Sequence, residues 1–99
     1  MNTINTQEGV LIEAQRITSG DRRADYDKAK SNHKRIANLW NAYIKNRKDP
    51  DSDLSPLDVA TLMILLKVAR CLHSPKRDNY VDIAGYARIC AMINEYEAE

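Results

Sequence analysis

The sequence predicts an all-α fold, in which four short helices form a small domain whose packing is completed by oligomerisation. Apolar residues recur at helical spacing in four segments, and no segment predicts a strand. The composition is that of a globular protein, 43% hydrophobic and 29% charged, with three glycines and three prolines in 99 residues. A chain of this length buries only about two-thirds of its unfolded surface. We therefore expect one domain, residues 1–99, of marginal stability as a monomer.

The first two helices are predicted at about residues 7–19 and 28–47. Asn5 and Glu8 have the spacing of a capping box, and Gly20 is a natural stop for the first helix. The second helix is strongly amphipathic, with most of its cationic side chains off the apolar face. That face consists of Ala29, His33, Ile36, Ala37, Trp40, Tyr43 and Ile44.

The last two helices are predicted at about residues 56–73 and 78–96, as an antiparallel hairpin. Ser55 is placed to cap the third helix, with Pro56 at its first position and Asp58 three residues after the cap. The run VATLMILLKVARCL is apolar around most of a helix circumference, which indicates a central helix. Because four short helices can hardly surround it, we expect a homo-oligomer.

Composition excludes several classes of protein. A net charge of +1 gives no global electrostatic field that would attract nucleic acid or an anionic membrane. The acidic stretch DPDSD follows the second predicted helix and counteracts the positive field of its basic face. No apolar run is long enough to span a bilayer, and the N-terminus has no secretion signal. Cys71 and Cys90 match no zinc spacing and are expected to be buried thiols. We expect an intracellular protein with no membrane or nucleic-acid partner.

No motif for nucleophilic catalysis or phosphate-loop binding is present. The sequence has no spacing typical of a Ser-His-Asp or Cys-His arrangement, no P-loop and no GxGxxG. We therefore lean against an enzyme, and expect neither a cofactor nor a metal site.

Four charged residues of the predicted hairpin are candidates for a polar site. Lys67 and Arg70 lie one turn apart on the most apolar helix, and Asp78 and Asp82 lie one turn apart on the next. In an antiparallel hairpin the two cations can reach the two carboxylates. They form either structural salt bridges, since buried charges are usually paired, or a ligand site between facing helices.

The stretch GDRRADYD, residues 20–27, concentrates charge between two predicted helices. Its arginines, Arg22 and Arg23, either pair with nearby carboxylates and pin a loop, or offer forked donors to a phosphate or carboxylate. Surface ion pairs contribute only ~0–1 kcal/mol each. We favour the interpretation that this loop, with Tyr26, forms one wall of a ligand or partner site.

Two further residues complete the candidate set. His33, on the apolar face of the second helix, is either a satisfied core residue or a group lining the same pocket. Tyr86 is one of several tyrosines spaced as core residues, of which one or two can stack on a base.

Four segments together resemble a small all-helical domain family of unknown function that is encoded mainly in phages and prophages. These segments are EAQRITSGDRRADYD, HKRIANLWNAYI, SPLDVATLMILLKVAR and PKRDNYVDIAGYA, with GDRxxxY and VDIAGYA as the signature. The resemblance covers about residues 10–90. It implies a phage context, and hence the cytoplasm of a bacterial host, but no established activity.

A weaker likeness is to MazG-like all-α nucleotide pyrophosphohydrolases, which carry ExxE on one helix and ExxD on the next. Here KVAR, residues 67–70, and NYVD, residues 79–82, stand at those places, and only Asp82 matches. Two cations at the first motif would repel Mg²⁺, which needs carboxylate oxygens or phosphates around it. Magnesium is expected only if this likeness extends to activity.

These observations lead to one hypothesis and two alternatives. The leading hypothesis is a phage-type helical oligomer that binds a phosphorylated nucleotide or a cyclic-nucleotide immune signal, with a counter-defence or nucleotide-pool role. The alternatives are an inhibitor that binds a host defence protein, and a pyrophosphohydrolase with an atypical metal site. The candidate ligand-binding residues are Arg22, Arg23, Tyr26, His33, Lys67, Arg70, Asp78, Asp82 and Tyr86.

Overall fold

A computed structural model describes the backbone of residues 6–18 and 22–98, and the side chains of residues 9–16, 24 and 27–97. Within these ranges the chain forms four α-helices and no strand. Helix α1 spans Thr6–Thr18, α2 spans Arg22–Lys45, α3 spans Pro56–His73 and α4 spans Arg77–Ala98. The all-α prediction is confirmed. The proposed caps and stop of the first helix, at Asn5, Glu8 and Gly20, lie outside the described side chains.

Helix α2 begins at Arg22, about six residues earlier than the sequence pattern predicted. The stretch after Asp21 is therefore helical, and the expectation of a loop through residue 27 is wrong for its larger part. After Gly20 the stretch contains neither glycine nor proline, and arginine and alanine are favourable in a helix. The prediction looked for apolar periodicity, which this polar first part of the helix lacks.

The chain divides into two compact units, residues 1–31 and residues 32–99. In the first unit, α1 exposes three consecutive apolar side chains, Val10, Leu11 and Ile12. The second unit contains the remainder of α2 together with α3 and α4, and it carries the interactions described below.

The start of α3 is the capping box that the sequence predicted. The Ser55 hydroxyl accepts a hydrogen bond from the backbone N–H of Asp58 at 3.1 Å, and the Asp58 carboxylate accepts one from the Ser55 N–H at 2.9 Å. Pro56 occupies the first turn, where its missing N–H has no consequence. The helix ends at His73, as predicted.

Helices α3 and α4 pack as an antiparallel hairpin around a three-residue connection. The Lys67 Nζ lies 3.0 Å from an Asp82 carboxylate oxygen, and the Thr61 hydroxyl lies 3.7 Å from the Cys90 sulfur. In these two contacts the lower residue number on α3 pairs with the higher number on α4, as expected of an antiparallel pair.

Helix α3 supplies the buried core, as its apolar composition predicted. Ala60, Leu62 and Ala69 are its buried side chains, and most of its other residues are half-buried. Trp40 packs α2 against it, because the indole N–H donates a 2.8 Å hydrogen bond to the Leu62 carbonyl. Cys71 and Cys90 are free thiols. Both are half-buried, so they are less buried than the sequence analysis expected.

A single arginine organises the connection between α2 and α3. The Arg47 guanidinium donates to the carbonyls of Pro50 and Ser52, both at 2.8 Å, and lies 3.1 Å from the Asp58 carboxylate. Longer hydrogen bonds reach the carbonyls of Ile44 and Asp53. One side chain, only 10% exposed, therefore ties the end of α2, the connecting segment and the start of α3 together.

Candidate functional site: a basic groove

A groove of about 340 Å³ lies where α2 faces the end of α3 and the start of α4. All of its lining residues belong to the unit formed by residues 32–99. They are Asn32, His33, Ile36, Leu66, Ala69, Arg70, His73, Ser74, Lys76 and Asn79.

The groove is basic. Arg70 and Lys76 bring two permanent positive charges to its wall, and His33 and His73 add two imidazoles. The described residues that line the groove include no carboxylate. Arg70, which is exposed, makes no ion pair with any described residue. The electrostatic character of the groove therefore suits an anion.

The rest of the lining combines an apolar floor with amide groups. Ile36 and Leu66 contribute aliphatic surface from facing helices. The Asn79 amide donates to the Ser74 carbonyl at 3.1 Å, which holds the connection between α3 and α4 against the start of α4. On the α2 side, the side-chain amide oxygen of Asn32 accepts a 2.8 Å hydrogen bond from the Arg35 guanidinium. An apolar surface with a few oriented polar groups is the usual composition of a small-molecule site.

The four charged residues of the hairpin do not act as one cluster. Lys67 pairs with Asp82, and the Lys67 side chain is 14% exposed against 45% for Asp82. Arg70 and Asp78, both among the described residues, form no ion pair with each other. Of the two ion pairs that the salt-bridge alternative required, the one between Lys67 and Asp82 is present and the one between Arg70 and Asp78 is not. Arg70 lines the groove, whereas Asp78 does not.

The predicted site residues fall into three groups. His33 and Arg70 come together in the groove, while Lys67, Asp78, Asp82 and Tyr86 lie outside its lining. The side chains of Arg22, Arg23 and Tyr26 lie outside the described residues. Their assignment to a ligand site stays a prediction.

Sequence reasoning missed the other polar members of the groove, Asn32, His73, Ser74, Lys76 and Asn79. A usable signal was present. Asn32 directly precedes His33 on α2, and the other four lie in the stretch HSPKRDN, residues 73–79, close to the candidate Arg70.

A second polar cluster surrounds Asp58 at the opposite end of α3. The Ser55 backbone N–H, and after it the Tyr43 hydroxyl at 2.7 Å, lower the pKa of the Asp58 carboxyl to about 2. Burial is the main cause that raises the pKa of Tyr43, and its hydrogen bond to Asp58 adds to it. The Arg47 guanidinium completes this cluster. Each group is satisfied by a neighbour, which marks the cluster as structural.

Neither a metal centre nor a membrane span emerges from the part of the chain that the structure describes. No group of three or more histidine, cysteine or acidic side chains is placed there to hold a metal ion. No helix in that part has the length and apolarity needed to cross a bilayer.

Fold and site together define a small all-helical protein with a basic groove and no recognisable catalytic set among its described residues. Residues 9–94 match the family described as "Domain of unknown function (DUF6378)", and the chain belongs to that family.

Two relatives come from mycobacterial phages. The Gene 55 protein of Mycobacterium phage L5 is 46% identical over 81 residues, which are 81% of this chain and 49% of that protein. The Gene 55 protein of Mycobacterium phage D29 is 39% identical over 93 residues, which are 93% of this chain and 58% of that protein. The chain thus spans about half the length of the curated relatives that it matches.

These matches confirm the resemblance to a phage-associated domain family of unknown function. No solved structure matches the chain. The weaker likeness to MazG-like enzymes gains no support from these matches.

Proposed function

We propose that this phage-associated protein binds a phosphorylated nucleotide in the basic groove, and that it thereby sequesters an immune signal or acts on the nucleotide pool. The observation that carries the proposal is the groove's composition: two permanent cations, Arg70 and Lys76, two imidazoles and no carboxylate among its described lining residues.

Arg70 is the residue best placed to take a phosphate. It lies on the last turns of α3, is exposed, and no described carboxylate competes for its guanidinium. A planar fork of donors matches two phosphate oxygens at once, and hydrogen bonds between charged groups are about twice as strong as neutral ones. Lys76, across the turn that ends α3, supplies a second point charge.

The remaining lining accounts for the nucleoside part of such a ligand. The Ile36 and Leu66 side chains provide aliphatic surface against which a base can pack, and Asn32 and Asn79 add amide groups to the lining. The volume of about 340 Å³ falls at the lower end of the range typical for small-ligand sites. This size favours a mononucleotide or a compact cyclic nucleotide over a larger ligand.

The ion pair between Asp82 and Lys67 disfavours pyrophosphohydrolase activity. Asp82 is the one residue that matches the enzyme motif, and its carboxylate has Lys67 at 3.0 Å. A cation already neutralises the group that would have to hold Mg²⁺. A test of this alternative is Mg²⁺-dependent release of pyrophosphate that Asp82→Asn abolishes.

Isothermal titration calorimetry with a panel of mono-, di- and cyclic nucleotides tests the proposal. We expect at least one nucleotide to bind, and Arg70→Gln to weaken its binding by about tenfold or more, because a charge-assisted bidentate contact is lost. The matched control is Arg88→Gln, an exposed arginine of α4 outside the groove, which should leave the affinity unchanged. Absence of binding across the panel, or equal effects of the two substitutions, would refute the proposal.

A host defence protein is the alternative partner, and one observation favours it. Val10, Leu11 and Ile12 of α1 are 60%, 69% and 58% exposed, which is unusual for three consecutive large apolar residues. Capture of one stoichiometric protein from host lysate, lost on Arg22→Glu, would favour this alternative over nucleotide binding.

A further inference from the structure

Helix α4 has a second apolar face, separate from the face that packs on α3. Val81, Gly85, Ile89, Met92 and Tyr96 follow one another at intervals of three or four residues, which places them in one stripe along the helix. Its four large members are 50%, 44%, 42% and 69% exposed. We call this set the α4 stripe. It extends over 16 residues, and its two ends lie about 22 Å apart.

Gly85 stands within the α4 stripe and has no close neighbour among the described residues. A Cβ added at Gly85 would meet nothing within 4 Å. Glycine is among the least favourable residues inside a helix, and a helix glycine is useful where another backbone approaches closely. No such backbone comes from the described part of the same chain. The open space beside Gly85 can admit the backbone of a second helix.

We infer that two copies of this chain associate through their α4 stripes, with the helices antiparallel and crossing near Gly85. Most interfaces between identical subunits are two-fold and use the same patch on both copies. A glycine at the crossing lets the two backbones approach, while Val81, Ile89, Met92 and Tyr96 cover one another on either side of it.

Of the three charged residues on one flank of the α4 stripe, Arg77, Arg88 and Glu95, two favour this arrangement. Arg77 and Glu95 lie on the same flank of the stripe, one before and one after Gly85. In an antiparallel pair that crosses at about residue 86, Arg77 of one copy falls opposite Glu95 of the other, and the two-fold axis repeats the contact. In a parallel pair Arg77 and Glu95 would lie about 27 Å apart along the helices and could not meet.

The small core of a single copy is consistent with this inference. Ala60, Leu62 and Ala69 are the buried apolar residues among the described ones, and all three lie on α3. Among the described residues, the α4 stripe thus exposes four large apolar side chains, whereas one copy buries three apolar side chains. Association through the α4 stripe would place that surface between subunits and extend the hydrophobic core of each hairpin.

Sedimentation equilibrium of the full chain, between about 1 and 100 µM, tests the inference. We expect a dimer, and we expect Gly85→Leu to weaken it by at least about tenfold because the added side chain overpacks the crossing. Ala91→Leu is the matched control, since Ala91 is an exposed small residue of α4 outside the stripe. It should leave the dimer unchanged. Circular dichroism should show that both variants remain helical.

Charge reversal tests the orientation independently of packing. Arg77→Glu and Glu95→Arg, each alone, should weaken the dimer by about tenfold, because each places like charges at two symmetric contacts. The two substitutions combined should restore the affinity of the natural chain. A monomer throughout the concentration range would overturn the inference. A dimer insensitive to Gly85→Leu, or charge reversals that do not compensate each other, would overturn it as well.

Discussion

Replacing Arg47 should destabilise the protein more than replacing Lys48, the other cation of the segment between α2 and α3. Its guanidinium makes two 2.8 Å hydrogen bonds to main-chain carbonyls and one 3.1 Å ion pair with Asp58. The carbonyl acceptors, Pro50 and Ser52, are exposed and can bind water instead, so each bond is taken at about 1 kcal/mol. Three such contacts give roughly 3 kcal/mol, a large share of the ~5–15 kcal/mol typical of a domain.

Urea unfolding followed by far-ultraviolet circular dichroism measures this loss. With a slope of about 1.5 kcal/mol per molar urea, Arg47→Ala should lower the midpoint by roughly 2 M. Arg47→Lys keeps the charge but replaces the fork with one ammonium group, so it should recover less than half of the loss. All measurements need one protein concentration, because self-association would make the midpoint depend on it.

Lys48→Ala supplies the control for this prediction. Lys48 is the next residue and is exposed, so its replacement should change the free energy of unfolding by no more than about 0.5 kcal/mol. If Arg47→Ala shifts the midpoint no further than Lys48→Ala does, the connecting segment is held by other contacts, and the role assigned to Arg47 is wrong.

Three further predictions follow from the capping box and the hairpin. Ser55→Ala should destabilise the fold by about 1 kcal/mol in thermal unfolding, since the first turn of α3 loses its side-chain acceptor; an unchanged melting temperature would contradict the cap. Because the pKa of Asp58 is lowered from 3.8 to about 2, its ionised form stabilises the fold above pH 4, and that contribution is lost as the pH falls through about 2. Asp58→Asn should therefore flatten the dependence of stability on pH between 4 and 2, and an unaltered acid limb would refute this. Lys67→Met should change stability by less than about 1 kcal/mol, because the partner carboxylate of Asp82 is 45% exposed and can be hydrated; a larger loss in urea unfolding would show that the pair is essential.

Helix α3 was predictable because its signals are local. Ser55, Pro56 and Asp58 form a start signal in consecutive residues, and the apolar run that follows has a single interpretation. The start of α2 was not predictable, because the residues after Asp21 are polar and helix propensity alone does not define where a helix begins. Periodicity detects a helix through the face that it buries, and this end of α2 has no apolar face in the sequence.

The candidate site was predictable only where one helix carried it. Arg70 stood out as a charge on an apolar helix, and His33 as a histidine on an apolar face. Their meeting in one groove depends on how α2 packs on α3, which a sequence pattern does not specify. The salt-bridge register of the hairpin was within reach, since a turn near residue 75 places Lys67 opposite Asp82. The role of Arg47 was not predicted because most of its partners are main-chain carbonyls, which a sequence pattern does not reveal.

The indole of Trp40 gives this protein an intrinsic optical reporter. It is the single tryptophan of the chain, and its N–H is bonded to the Leu62 carbonyl on the facing helix. Ile36 and Leu66, one turn away on α2 and α3 respectively, are in the wall of the groove. Any ligand that draws these helices together or apart will alter the surroundings of the indole. Its emission maximum should therefore report the binding of any ligand that moves these helices, without a dye or an attached label.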